Sequence, residues 1–341
     1  MIKLTYNNGY LSDDKEENNA LDCGGVFMTS EERLKAGKYQ LTMYSANQYL
    51  LWRVAMVKSI KRILENADDF YNDFKHELRQ ADDDTGDQTV HLEIKNGLVF
   101  EALAQSMQAI EDLFSLMKNA ADISYFVKHV IVYQAGAVNQ YIRDFDTENI
   151  EYLLKQMQLL YFPLDEPWEN AEIFEHYKNS VLLTQDYLRE LKMHHNKFSL
   201  HYNQYKHGQA VALRPFATPP EGIEDNMLEA GLMAFDSLRF EKRTKKAVPP
   251  PAFVIPHFHP DIAGHVSELH NEDNLLRADL QVIHIDTLIG IAEKAYTLIN
   301  VFWNNLVKQC NATEDDEFLE QCFPIKDYQR VAEIGFPKSE L

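Results

Sequence analysis

The sequence has few of the features that mark extracellular, membrane or cysteine–zinc proteins. Its 341 residues include only three cysteines, Cys23, Cys310 and Cys322, and no Cys-x-x-Cys pair. So few thiols are typical of the reducing cytosol and supply no cysteine framework for zinc. The chain also lacks an apolar segment near its first residues and any run of about 18 apolar residues, the length that spans a bilayer. We therefore expect a cytoplasmic protein with no membrane contact.

Basic residues are scarce as well. Lysine and arginine number 33 against 53 aspartates and glutamates, so the formal net charge is −20. Such a surface repels nucleic acid and anionic lipid at long range, which leaves RNA binding to a local basic patch. The chain has no Gly-x-x-x-x-Gly-Lys-Ser/Thr loop, no Gly-x-Gly-x-x-Gly fingerprint and no Gly-x-Ser-x-Gly elbow. These absences argue against an NTPase, a dehydrogenase and a serine hydrolase.

What the chain does have is helical periodicity. Leu103, Met107, Ile110, Phe114 and Met117 are spaced four, three, four and three residues apart, which predicts an amphipathic helix over about 98–118. The capping sequence Thr29-Ser30-Glu31-Glu32 predicts another helix start. Similar signals predict further helices over 29–79, 122–143, 147–161, 169–207 and 273–309. We expect an all-α fold in which these helices form an antiparallel bundle.

Proline marks one region as different. Eight of the twelve prolines lie between positions 215 and 260. Prolines at that density preclude long helices, so we expect a long irregular or β insertion before the last helix. The expected organisation is a poorly ordered lead-in, a helical bundle, the insertion, a final bundle helix and a tail, over 1–28, 29–208, 209–272, 273–310 and 311–341 respectively.

The most informative stretch is His201-Tyr202-Asn203-Gln204-Tyr205-Lys206-His207-Gly208, in the last turns of the helix predicted over 169–207. Asn203 and His207 are four residues apart and point the same way, while the two tyrosines continue the apolar stripe of the helix. A core helix rarely carries so many polar and titratable side chains in its final turns. The stretch indicates a binding or catalytic site. The alternative is a plain helix end, in which Lys206 and His207 complement the helix dipole and Gly208 is the cap.

The string from Asn203 to Gly208 resembles the motif of the HEPN superfamily, helical-bundle proteins of prokaryotic toxin–antitoxin and defence systems. That motif reads arginine, a polar residue that is often asparagine, three more residues and then histidine, frequently followed by glycine. It lies late in one helix of a compact bundle. Active members are metal-independent RNases in which arginine and histidine from two protomers meet across a dimer interface. The resemblance therefore implies a homodimer, with RNA or an antitoxin-type protein as partner.

On this resemblance His207 matches the family histidine and Asn203 the polar position, whereas Tyr202 occupies the arginine position. Tyrosine is neutral at pH 7 and cannot give a phosphate the bidentate charged contact that arginine gives. We therefore expect a degenerate HEPN-type ribonuclease that binds RNA or another ligand with reduced or lost RNase activity. The alternative is a metal-independent RNase that uses His207 as general acid and base. The expected site consists of His207, Asn203, Lys206 and Tyr202 at catalytic positions and of Tyr205 and His201 at binding positions.

Arg189 offers a second arginine, because it precedes His194 and His195 by five and six residues. It lies 18 residues before His207, about 27 Å along a continuous helix, and cannot pair with that histidine within one subunit. We expect Arg189 to be a surface residue.

A second candidate site lies in the insertion, where His257, His259 and Asp261 form a His-x-His-x-Asp string after an apolar run. The string resembles the metal-binding turn of metallo-β-lactamase-fold hydrolases, and imidazole with carboxylate suits zinc, iron or manganese. The next position is Ile262 rather than the family's histidine, and the predicted helices do not form that fold. Two readings stay open. One is a separate divalent-metal site of these three residues with His265 in a metal-dependent hydrolase, and the other is a loop with surface histidines and no cofactor.

Overall fold

The structure is a computed structural model that describes residues 29–46, 51–66, 69, 86–121, 123–159, 161–166, 171–206, 211–212, 228–237 and 276–311. Helix predominates among these residues, as the apolar periodicity predicts. No helix among them combines the length and the apolar character that a bilayer span requires. The α-helices of the described residues are α1 (Ser30–Ala46), α2 (Trp52–Glu65), α3 (Gly86–Asn119), α4 (Phe126–Ile131), α5 (Ala135–Asp144), α6 (Ile150–Gln156), α7 (Ala171–Lys206) and α8 (Ile285–Asn311).

Local side-chain contacts explain where α1 and α6 begin. The Thr29 backbone N–H donates to the Glu32 carboxylate at 2.8 Å, and the Glu32 N–H donates to the Thr29 hydroxyl at 3.2 Å. This reciprocal pair confirms the helix start predicted from the capping sequence. At α6 the Asn149 side-chain oxygen accepts from the Tyr152 backbone N–H at 3.0 Å. Each cap satisfies a backbone donor that the helix itself leaves without a partner.

Two predicted helices are interrupted. The predicted helix over 122–143 is a 3-10 turn at Ile123–Tyr125 followed by α4 and α5, with a break after Ile131. Val130, Ile131 and Val132 are consecutive β-branched residues, which lose side-chain freedom in a helix, and Gln134 is extended at φ −120° and ψ 97°. The helix predicted over 29–79 is described as two elements, α1 to Ala46 and α2 from Trp52 to Glu65, and positions 47–50 between them lie outside the described residues.

The helix predicted over 273–309 begins only at Ile285, and the segment before it is a strand. Leu276, Leu280 and Ile283 have helical spacing, but pairing with a neighbouring strand overrides that local pattern. Strand β2 (Glu229–Ser237) lies between β1 (Val211–Ala212) and β3 (Leu276–His284), and both pairings are antiparallel. In the middle strand the Leu232 and Ala234 side chains, two residues apart on one face, are fully buried.

The chain divides into two compact units. The first unit holds α1, α3 from Glu111, α4 to α6, α7 as far as Arg189 and α8 from Thr297. Its core is aromatic: the Phe114 and Phe145 rings meet edge to face at 5.1 Å, and the Phe126 and Trp303 rings do so at 5.6 Å. Such pairs add about 0.5–1.5 kcal/mol to area burial. The second unit holds α2, the earlier part of α3, the later part of α7, the strands and α8 as far as Tyr296, around buried aliphatic side chains that include Val57, Ile60, Leu103, Met107, Leu191 and Leu288.

Gly37 allows a close backbone contact in the first unit. A Cβ atom at Gly37 would lie 2.6 Å from the Ile123 backbone oxygen and 2.9 Å from the Ser124 Cα. Glycine therefore lets α1 pack directly against the 3-10 turn. One helical turn earlier on the same face of α1, the Arg33 Nη1 donates to the Tyr125 hydroxyl. The Gly37 contact thus positions a buried arginine against this turn.

Gly37→Ala is expected to lower the free energy of unfolding by about 1–3 kcal/mol, because the added methyl group pushes two backbones apart. Gly97→Ala is the matched control, since a Cβ there meets nothing within 4 Å. Alanine should leave stability at that helical position unchanged or raise it by up to about 1 kcal/mol. Urea unfolding measures both variants, and equal stabilities would contradict the close contact at Gly37.

Candidate functional site

The structure describes the predicted site from His201 to Lys206, where α7 ends. The catalytic candidate His207 lies outside the described residues, so its pairing with Asn203 stays a prediction. The predicted metal site also lies outside them in full, with His257, His259, Asp261 and His265.

His201 is enclosed at the end of α7. Its side chain is 0% exposed, and its Nε2 lies 3.0 Å from the backbone oxygen of Leu232 in β2. A carbonyl oxygen only accepts hydrogen bonds, so Nε2 carries the proton and donates. Loss of the imidazole would leave a buried carbonyl without its donor, which costs about 1–3 kcal/mol. This hydrogen bond from His201 therefore joins α7 to β2.

Tyr202, at the position of the family arginine, is also enclosed. Its side chain is 2% exposed, and the Lys206 ammonium nitrogen lies 5.4 Å from the centroid of its ring. The prediction that Tyr202 continues the apolar stripe of Leu191 and Phe198 is confirmed, since those two side chains are buried as well. Because Lys206 itself is exposed, this cation–π contact contributes about 0.5–1 kcal/mol. The cation beside this position therefore belongs to Lys206, one helical turn later.

Tyr205 is half-buried, and both its ring and its hydroxyl group have partners. Its ring stacks on Phe100 with the centroids 5.3 Å apart and the planes 17° apart. Its hydroxyl donates to the Glu101 carboxylate at 3.3 Å. Burial raises the pKa of the Tyr205 phenol, and the neighbouring Glu101 carboxylate raises it further. The phenol is therefore a neutral hydrogen-bond donor at pH 7.

The polar surface of this helix end comes from three side chains. Lys206 is exposed, and Asn203 and Gln204 are half-buried. Asn203 and Lys206 are three residues apart and lie on one face of α7. The described end of α7 thus presents one ammonium group and two amides, with the neighbouring aromatic side chains packed inward.

Arg189 lies at the surface, as predicted. Its Nε and Nη2 donate to the two carboxylate oxygens of Glu148 at 3.1 Å each, and its Nη1 donates to Asp186 at 2.9 Å. The hydrogen bond from Arg189 lowers the pKa of the Glu148 carboxyl. This bidentate pair uses the edge of the guanidinium group that would otherwise bind a phosphate. The Arg189 guanidinium group is therefore already bonded to two carboxylates of its own chain.

His194 is a buried neutral imidazole. Its side chain is 7% exposed, its ring centroid lies 4.7 Å from that of Phe198, and Nε2 has no hydrogen-bond partner among the described residues. Burial, together with the charges of Lys197 and His195, lowers the pKa of His194 to about 3. An imidazole with that pKa does not exchange protons efficiently near pH 7.

A pocket of about 310 Å³ in the first unit was not predicted from the sequence. We call it the α3 pocket, because the last turn of α3 forms one wall. Its polar lining residues belong to α3, to α4 and to the segment before α5, so no local sequence pattern connects them. Lys118 lies at the end of the helix predicted over 98–118 and His129 inside the helix predicted over 122–143, and neither position indicates a pocket. The polar side chains that line it are Ser115, Lys118, Asn119, His129, Tyr133 and Gln134.

Comparison of the chain with protein-family models, with curated proteins and with solved structures finds no match in any of the three. The HEPN resemblance therefore rests on the motif at 203–208 and on the helical fold, and it stays a prediction. Within the described ranges, no three side chains of histidine, cysteine, aspartate or glutamate converge on a position that would hold a metal ion.

The stability of the protein should fall as the pH drops below about 6.5, because His194 has a lower pKa in the folded chain than in the unfolded chain, which therefore binds the proton first. Between pH 6.5 and about 3 this group contributes a slope of up to about 1.4 kcal/mol per pH unit. His194→Phe keeps a ring and removes the titration, so its free energy of unfolding should depend less steeply on pH. Urea unfolding over this range compares the two proteins. Parallel pH profiles would contradict the buried neutral imidazole.

Proposed function

We propose that this chain is a HEPN-like helical protein that binds RNA at the C-terminal end of α7 and has reduced or no RNase activity. One observation carries the proposal. Tyr202, where the resemblance expects arginine, is 2% exposed and lies under Lys206. A buried neutral phenol cannot stabilise the charge that develops on a phosphate during cleavage.

RNA binding requires fewer chemical groups at the end of α7 than RNA cleavage does. Lys206 is exposed, and the Asn203 and Gln204 amides are partly accessible at the same helix end. Ammonium and amide groups are donors that proteins use for phosphate oxygens and for base edges. The net charge of −20 limits the number of phosphate contacts, so we expect weak binding that falls further with salt.

The proposal includes a homodimer, because active members with this motif act across a dimer interface. Residues of the second copy would then meet the ends of the two α7 helices. The alternative, a metal-independent RNase that uses His207, places the site at the same helix end but predicts that the bound RNA is cleaved. Cleavage assays therefore separate the two.

Lys206→Gln is expected to weaken RNA binding, because it removes the exposed ammonium group at the end of α7. Loss of one phosphate contact should lower the slope of log affinity against log salt by about 0.7 for single-stranded RNA. Fluorescence anisotropy with a labelled RNA that contains a single-stranded loop measures both quantities. The matched control is Lys197→Gln, because Lys197 is also exposed on α7 and its ammonium nitrogen lies 5.1 Å from the Phe198 ring centroid.

Cleavage is followed in the same samples with EDTA present. Intact RNA with wild-type protein, together with weakened binding for Lys206→Gln alone, would support the proposal. Cleavage that His207→Ala abolishes would establish the RNase alternative instead. Absence of RNA binding, or equal weakening by both lysine variants, would contradict a binding site at the end of α7.

A further inference from the structure

The α3 pocket has a buried polar floor and an accessible rim. Ser115 and Asn119 are 5% and 7% exposed, and the Asn119 amide donates to the Ser115 hydroxyl oxygen at 3.4 Å. The Ser115 hydroxyl proton has no acceptor within the described ranges. His129 and Gln134 are exposed at the rim. At about 310 Å³ the pocket lies at the lower end of the range for small-molecule sites.

The side-chain charge on the described lining of the α3 pocket is positive and comes from Lys118. Lys118 forms no ion pair with another described residue, and His129 adds a polar imidazole to the lining. None of its described lining residues is acidic. Glu111, which is 4% exposed, accepts from the hydroxyl of the lining residue Tyr133 at 3.0 Å. In a chain of net charge −20, a pocket whose described lining carries a lysine and no carboxylate favours a negative ligand.

Further positive charge lies behind the His129 side of the pocket. The His129 ring stacks on Tyr125 at 6.0 Å, and the Arg33 guanidinium carbon and the Lys128 ammonium nitrogen lie 5.6 and 5.5 Å from the same Tyr125 ring. Arg33 is 5% exposed, and its Nε and Nη2 have no hydrogen-bond partner in the described part of the chain. In Arg189 the same two nitrogens hold a carboxylate. The Arg33 charge is thus not neutralised by any described carboxylate.

The partial charges at the helix ends around the α3 pocket do not make the field in the pocket negative. The last turn of α3 contributes Ser115 and Lys118, and the first residues of α5 contribute Val138, with Gln134 as the N-cap. A helix C-terminus and a helix N-terminus carry roughly −0.5 and +0.5 of an elementary charge. The C-terminal end of α4, with Val132 as its C-cap, also borders the pocket, so the three helix ends sum to about −0.5. The full positive charge of Lys118 exceeds that sum and decides the sign of the field.

We propose that the α3 pocket binds a small organic anion through a carboxylate or phosphate group. Lys118 and His129 contact the anionic oxygens, and Ser115 and Asn119 donate hydrogen bonds from the floor. Val132 and Val138 contact the remainder of the ligand. This site does not depend on the proposed RNA binding.

Isothermal titration of the full chain with sodium phosphate and with sodium acetate tests the site, with sodium chloride at equal ionic strength as reference. We expect saturable binding of at least one of the two probes, and the stronger of them identifies the preferred group. Lys118→Gln should weaken that binding about tenfold, which is the loss expected for one charge-assisted hydrogen bond. Lys155→Gln, an exposed lysine of α6 that does not line the pocket, is the matched control and should change the affinity less than about twofold.

Circular dichroism establishes that the variants fold, and His129→Gln replaces Lys118→Gln if the latter does not. Binding that Lys118→Gln or His129→Gln weakens, and that Lys155→Gln leaves unchanged, supports the anion site. Binding of neither probe, or equal binding by the pocket variants and the control, overturns it.

Discussion

The hydrogen bond from the His201 imidazole to the Leu232 carbonyl determines which side chains are buried and which are exposed at the end of α7. It is fully buried, and it joins the last turns of a 36-residue helix to the middle strand of the sheet. Once His201 faces β2, the 100° step of the helix directs the next side chain, Tyr202, along the buried stripe. Lys206, one turn later, is then left at the surface. A single buried contact thereby determines which polar groups of this helix end remain accessible.

In the proposed function, this arrangement would separate RNA binding from RNA cleavage at the same helix end. An RNase of the type that the motif resembles needs an exposed cation at the position of Tyr202, and the apolar packing of α7 fills that position with a buried ring. The exposed ammonium group of Lys206 lies over that ring and is a point charge without the planar fork of arginine. An ammonium group can attract phosphate oxygens, but it cannot give the bidentate contact that arginine gives to a cleaving phosphate. The proposed function follows from that difference.

Local sequence patterns predicted the long helices well because those helices bury one continuous stripe. The spacing from Leu103 to Met117 and the Thr29–Glu32 capping box both describe interactions within a few residues, and both are present in the structure. Prediction was wrong at Leu276–His284, where the same apolar spacing fits a helix and a strand. There the choice depends on pairing with β2, in which Gly231 lies 51 positions before its partner Val282. Interactions between distant segments cannot be read from spacing alone.

The candidate sites illustrate the same limit. The polar composition of 201–208 drew attention to the end of α7, but it could not indicate that His201 and Tyr202 are enclosed there. The α3 pocket left no pattern at all, because its lining residues come from three elements and become neighbours only after folding. Its most distinctive property is a lysine, Lys118, that has no carboxylate partner among the described residues, and this property arises from contacts and not from order along the chain.

The tautomer of His201 tests the central claim most directly. Long-range ¹H–¹⁵N correlation spectra of the histidine rings, assigned by comparison with His201→Gln, report which ring nitrogen carries the proton. The structure predicts a single Nε2 proton that exchanges slowly with water, since it is buried and bonded to Leu232. A proton on Nδ1, or rapid exchange at Nε2, would contradict the buried hydrogen bond between α7 and β2. It would also contradict the division into buried and exposed side chains at the end of α7 that is argued from this bond.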